Sequence, residues 1–351
     1  MLSPDIVHET SVCLTANFLS LGVDGMKRHL RLDISHHALY PDVAELLRRL
    51  PPEILHHSRY PFRHPAAVYQ LSLRQLANDF KRVLTDCTAL RSDVSRADVA
   101  EQLAQSQRIL IYSLREHLDD CQMILMCMVD PATVASQGSS PDEFLRAAGL
   151  PERKVFWDSV HNYSDTYLMP LVNKLKHSQG RFRIVRFDCS PSDIRLGFYL
   201  EEMDEKEAAQ PSVKLHGGNS AFSYARDIRR NLGSVFRAAG GLHGAVEAFL
   251  KRLGRSHLAA PEGAEIIEGA WTEVCRNVAA FDSGVFPQEL KDPFVRFSLN
   301  DEGKLKIREM EKDLLLSFPD GNVRCSTQIS GDGMTKSYRM PYAFGNKPQL
   351  R

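Results

Sequence analysis

The chain has 351 residues, 43% of them hydrophobic and 25% charged, the make-up of a soluble globular protein of about two domains. Lys plus Arg and Asp plus Glu both total 44, which excludes a globally basic nucleic-acid binder and confines any footprint for a polyanion to a local patch. Seven scattered cysteines (13, 87, 121, 127, 189, 275 and 325) without a C-x-x-C pair read as reduced thiols, so a cytoplasmic location is expected.

The opening stretch MLSPDIVHETSV lacks a basic start followed by an apolar run, so no signal peptide is expected. Ser3-Pro4-Asp5 predicts a helix that Gly22 stops, and further helices follow over 26–39 and 42–50, the last broken by Pro51-Pro52. Seven of the thirteen histidines fall before residue 65, including the pairs His36-His37 and His56-His57. Neutral imidazole is a common metal ligand. Adjacent helical residues, however, point about 100° apart, and no Cys or carboxylate sits at ligand spacing, so no metal is expected.

Two long helices come next. Residues 66–90 carry apolar groups at steps of three and four, and residues 95–129 repeat Val99, Leu103, Leu110, Leu114, Leu118, Cys121, Leu125 and Met128. That spacing predicts antiparallel bundle packing or a short coiled coil. The Met-rich end (Met123, Met126, Met128) reads as plastic core. The apolar window 123–129 is far below the ~20 residues that span a bilayer, and no membrane partner is expected.

A polar loop over 130–142 closes with Ser140-Pro141-Asp142, a start signal for a short helix to Ala148. Residues 152–177 form the last helix of this half, kinked at Pro170 and ended by Gly180. The period then changes from 3.6 to 2. Residues 181–187 alternate basic and apolar, and 194–200 form a second strand, so a hairpin is expected. The acidic run 201–207 reads as a solvated loop. Helices follow over 221–239, 243–253 and 264–281, the first two divided by Gly240-Gly241. The tail predicts one hairpin from 295–299 and 304–308 and another from 314–318 and 323–329, with frayed residues over 345–351. The whole is α+β and mostly helical. An N-terminal antiparallel helical bundle over 1–180 precedes a mixed α/β domain with two or more hairpins over 181–351.

No phosphate loop, H-E-x-x-H or G-x-S-x-G is present, and His216-Gly217-Gly218 reads as a plain loop. The densest polar cluster is Asn173-Lys174-Leu175-Lys176-His177. Asn173, Lys176 and His177 stand at i, i+3 and i+4, one face of a helical turn. An amide, an ammonium and an imidazole together can bind a phosphate oxygen and move a proton, as RNA cleavage requires. Lys174, Lys176, Arg181, Arg183 and Arg186 make a local patch of five cations suited to a nucleic-acid backbone. The same residues also suit a plain helix end, because cations there offset the macrodipole, and the wet face of a strand.

The segment Val172-Asn173-Lys174-Leu175-Lys176-His177 resembles the Arg-Asn-x3-His motif of the HEPN superfamily, helical bundles found in RNA-cleaving toxins and phage-defence proteins. Asn and His are in place, while Val172 stands where that family carries arginine. The resemblance implies a metal-independent endoribonuclease or RNA-binding protein without cofactor. His177 would be the acid/base, Asn173 and Lys176 would orient phosphate, and Lys174, Arg181, Arg183 and Arg186 would hold the backbone. With Val172 in the arginine position, cleavage would rely on Lys176 or a distant arginine. The pair Arg237/His243 has the motif's spacing, but Gly240-Gly241 predicts a helix break between them. The alternative expectation is a non-catalytic adaptor or scaffold with a protein partner, acting through homo-oligomerisation of the bundle.

Overall fold

The computed structural model describes residues 13–15, 30–37, 39–92, 97–134, 140–176, 180–190, 193–203, 209–216, 221–255, 269–281, 284–286, 289, 294–299, 305–310, 316–317, 323–328, 335–340 and 349–350. The strands at 13–15, 30–37, 316–317, 323–328, 335–340 and 349–350 are described by backbone alone. In chain order the elements are β1 (Cys13–Thr15), β2 (Leu30–His37), α1 (Val43–Arg48), α2 (Pro65–Ser92), α3 (Ala97–Met126), α4 (Pro141–Ala147), α5 (Glu152–Tyr163) and α6 (Met169–Lys176). They continue with β3 (Gly180–Ser190), β4 (Asp193–Met203), β5 (Ala209–Pro211), α7 (Val213–His216), β6 (Phe222–Ser223), α8 (Tyr224–Arg252) and α9 (Gly269–Ala280). The last strands are β7 (Phe294–Leu299), β8 (Leu305–Met310), β9 (Leu316–Ser317), β10 (Val323–Gln328), β11 (Thr335–Met340) and β12 (Gln349–Leu350). The class is α+β and mostly helical.

The α2–α3 pair is antiparallel, and a buried polar ladder sets its register. Ser72, Asp79 and Asp86 stand at seven-residue steps along α2. Their partners descend along α3: His117 Nδ1 lies 2.9 Å from Ser72 Oγ, Ser113 Oγ donates to Asp79 at 2.7 Å, and Ser106 Oγ donates to Asp86 at 2.6 Å. Gln75 and Gln102 add a second donor to each carboxylate at 2.9 Å. A one-turn slip would leave buried carboxylates without donors, which penalises other registers.

Helix α8 is the centre of the fold. Nineteen of its 29 residues are buried, against α5, α3, α1 and the sheets. Ser223 caps it, its Oγ accepting from Arg226 N–H at 3.2 Å, and Lys251 and Arg252 occupy the last turn. The expected break at Gly240-Gly241 does not occur; both glycines lie inside the helix. Gly241 is required by close packing, since a Cβ there would fall 2.7 Å from Ser159 Cβ on α5. Gly240 is exposed, with nothing within 4 Å of where its Cβ would stand. Gly241→Ala should therefore cost about 1–3 kcal/mol by overpacking. Gly240→Ala should gain about 0.5–1 kcal/mol from helix propensity. Urea titration of the two variants checks this, and equal effects would contradict it.

The main sheet runs β1-β3-β4-β5, with β6 also on β4. The β3–β4 hairpin is antiparallel with Phe182 opposite Leu200 and Ile184 opposite Phe198, as alternation predicts. A second sheet runs β2-β8-β7, and the expected hairpin of residues 295–308 is its β7–β8 pair. The core is one contiguous cluster from Tyr40 to Ile307, running across position 180.

Several further expectations are corrected. The helices predicted over 3–22 and 26–39 contain strands: β1 pairs in parallel with β3, and β2 pairs antiparallel with β8. Residues 30, 32 and 34 carry a period-two apolar pattern that pairing across the chain realises. β10 pairs with β11 rather than with β9, and β9 pairs with β12, so Gln349 and Leu350 lie in a ladder within the stretch expected to fray. The acidic run begins inside β4, where Glu201 and Glu202 are strand residues.

Candidate functional site

Helix α5 reaches α6 through a π-turn, Ser164–Leu168, directly before Pro170. Proline has no N–H to give to Thr166 O, and the chain widens one turn earlier, Met169 N–H bonding Ser164 O. The sequence predicts a kink at Pro170; the turn takes the form of this bulge. It carries Tyr167, and Tyr163 ends α5 just before it; the two rings lie 5.7 Å apart and face α8.

Beneath that face lies a buried polar cluster that has no local trace in the sequence. Asp227 on α8 accepts from Tyr167 Oη–H, from Gln107 Nε2 at 2.8 Å and from Asn231 Nδ2 at 2.9 Å. Tyr163 Oη–H donates to Asn231 Oδ1 at 2.9 Å. Burial pushes the Asp227 carboxyl above its usual pKa despite these donors.

Helix α6 buries Leu171, Val172 and Leu175 and exposes Asn173 and Lys176 at its C-terminal end. Val172, in the motif's arginine position, is 8% exposed and part of the core, which explains an apolar side chain there. Arg108 reaches the same end from α3, its Nη2 donating to Leu175 O at 3.4 Å and its guanidinium 5.7 Å from the Tyr112 ring centre. A cation there offsets the negative end of the helix dipole. Arg181 opens β3 and lies 3.6 Å from Glu101, which is seven residues before Arg108 on α3 and so on the same face. Asn173, Lys176, Arg181 and Arg108 thus gather where α6, β3 and α3 meet.

Lys174 and Arg183 stand differently. Lys174 pairs with Glu202 at 2.8 Å, and Arg183 donates to Glu201 through Nε at 3.1 Å and Nη2 at 2.9 Å, so β4 neutralises both. Arg186 sits on β3 opposite Leu196 and beside Cys13, its side chain outside the described residues. His177 also lies outside the described residues.

His216 lies at the end of the short helix α7 rather than in a plain loop. Its Nε2 accepts from Leu200 N–H at 3.0 Å, its ring packs 4.5 Å from Phe222, and burial holds its pKa down at about 4, so it is neutral. Arg237 and His243 share the continuous α8, but six residues of helix turn them to different faces, and His243 pairs with Glu247 at 3.5 Å. Among the described residues no group of three or more His, Cys, Asp or Glu side chains comes together as a metal site, and no helix is long and apolar enough to cross a membrane. Comparison with protein-family models, curated proteins and solved structures finds no match for this chain.

Of the functional candidates, Arg108 is the one sequence reasoning missed. Nothing in the local pattern of α3 marks it, because its role arises only when the end of α6 docks against it.

Proposed function

We propose that the protein is a HEPN-like RNA-binding protein of the cytoplasm, in a bacterial toxin or phage-defence setting, that grips phosphates at the C-terminal end of α6. Asn173, Lys176, Arg181 and Arg108 make the contacts, with Arg186 extending them along β3, and His177 supplies the acid/base group for cleavage. The observation that carries this reading is the Arg108 contact with Leu175 O: it supplies an arginine at the motif whose own arginine position holds Val172.

Fluorescence anisotropy with a short single-stranded RNA tests it. The wild type should bind with a salt-dependent affinity, and Arg108→Ala and Lys176→Ala should each reduce the slope of log K against log salt by about 0.7. Incubation without metal, beside His177→Ala, separates cleavage from binding by the appearance of fragments. Absence of salt-sensitive RNA binding in the wild type overturns the proposal.

The ion pairs Lys174–Glu202 and Arg183–Glu201 favour a second reading, an adaptor or scaffold that meets a protein partner or its own copy, since cations already paired contribute little to a polyanion. A light-scattering mass well above 39.6 kDa with no RNA affinity supports that alternative.

A further inference from the structure

Arg230 is the cation whose surroundings the fold leaves unexplained. It lies on α8, half-buried, with its guanidinium carbon 4.0 Å above the centre of the Tyr167 ring. Among the described residues its guanidinium has no hydrogen-bond or ion-pair partner. Its α8 neighbours differ: Arg229 donates to Phe281 O at 2.6 Å, and Arg226 lies 3.8 Å from Glu289.

Asp227 is not its counter-ion in a bonding sense. Both carboxylate oxygens are taken by Tyr167, Gln107 and Asn231. Tyr167 is locked through that hydroxyl, so its ring is a fixed platform with Arg230 on one face. Stacking on an aromatic face fixes the guanidinium plane and leaves its N–H edge for an oxyanion.

A second cation reinforces the first. Arg226 stands one helical turn earlier on the same face. It lies 3.8 Å from Glu289, whose two oxygens also accept from Ser223 N–H and Phe286 N–H at 2.8 Å each. Burial pulls the Arg230 pKa below the usual arginine range, and the Arg226 charge adds to this. Two like charges one helical turn apart gain from an anion placed between them. A planar fork paired with a second guanidinium matches a tetrahedral dianion better than a single carboxylate.

We propose that Arg230, held on Tyr167 and assisted by Arg226, is a binding site for a phosphate dianion, either free or as the terminal phosphate of a nucleotide or an RNA strand. The site is separate from the end of α6, and it stands whether or not that end contacts RNA.

The test is titration calorimetry with inorganic phosphate at constant ionic strength, with chloride and acetate as controls. Wild type should bind phosphate and give no matching response to acetate. Arg230→Met, which keeps the stem on Tyr167 and removes the fork, should weaken binding roughly tenfold or more, because charge-assisted bonds are lost. Arg230→Lys should recover only part of it, and it carries the test if Arg230→Met does not fold. The part of the phosphate response that Arg230→Met removes should persist in Lys176→Ala and in Arg108→Ala. AMP and RNA with a 5′-phosphate or a 5′-hydroxyl then identify the carrier: a gain for the phosphorylated form of either, lost in Arg230→Met, assigns it. No phosphate-specific binding by wild type, an equal response to acetate, or loss in Lys176→Ala rather than in Arg230→Met overturns the proposal.

Discussion

Acidification from pH 6.5 to pH 4 is expected to remove several kcal/mol of stability, through two histidines that the fold buries uncharged. His117 is 1% exposed and His216 is 5% exposed. Burial lowers each pKa from the usual 6.5 to about 4. Among the described residues the hydrogen-bond partners of His117 are Ser72 Oγ at 2.9 Å and Cys121 Sγ at 3.9 Å, and His216 Nε2 serves as an acceptor for Leu200 N–H. Neither environment welcomes an imidazolium. The folded pKa values lie below the unfolded ones, so the unfolded chain takes up the protons first. The stabilisation is therefore fully present above the ordinary histidine value and is lost as pH falls toward 4. Each site contributes a slope of up to about 1.4 kcal/mol per pH unit, roughly 3 kcal/mol across the window. Together they are a large share of a typical total of about 5–15 kcal/mol. Asp227 and Glu289 act in the opposite sense, because burial raises their pKa values, and they offset part of the loss just above the ordinary carboxylate range. Urea unfolding at pH 4 to 8 measures the slope. His117→Gln and His216→Gln should each remove about half of it, and an unchanged slope in either variant would refute that histidine's share.

The parts of this fold that could be read in the sequence are those whose signals are local. The long helices announce themselves by apolar steps of three and four, and α4 by Ser140-Pro141, where Ser140 Oγ accepts from Glu143 N–H at 3.3 Å. The β3–β4 and β7–β8 hairpins follow from alternation and turn residues. Misreadings arise where the deciding partner is remote. β2 has a period-two pattern, yet its ladder partner β8 lies some 270 residues downstream, and its N-terminal residues suit a helix equally well. Gly240-Gly241 reads as a break from propensity alone, whereas the contact of Gly241 with Ser159 turns it into a packing device. At the candidate site, the spacing of Asn173 and Lys176 was visible in the sequence. The neutralisation of Lys174 and Arg183 depends on hairpin register, and the arrival of Arg108 on helix docking, so neither has a local trace. Asp227 looks like an ordinary first-turn acid, since only the tertiary fold supplies its donors from α3 and the π-turn.

The same dependence on remote donors makes Asp227 the side chain whose loss should be felt most. It is 2% exposed, and it ties together α3 through Gln107, the π-turn through Tyr167 and α8 through Asn231, with Tyr163 of α5 joined by way of Asn231. Asp227→Leu leaves three buried donors unmet and deprives Arg230 of the nearest negative charge. Removing one member of such a network costs about 3–5 kcal/mol. Tyr163→Phe removes one neutral bond at its edge and should cost about 1 kcal/mol. Asp227→Asn keeps the shape and part of the acceptor capacity and should fall between them. Its deficit should also depend on pH with a definite sign. The folded Asp227 pKa is raised, so the wild type holds its extra stability below the ordinary carboxylate value and loses it as pH rises through the raised one. The gap between wild type and Asp227→Asn should accordingly narrow with rising pH over that window. Unfolding free energies for the three variants across pH 3 to 8 decide the matter. If Asp227→Leu costs no more than Tyr163→Phe, the cluster is a bystander in the packing of α8, and the fixed platform beneath Arg230 loses its foundation with it.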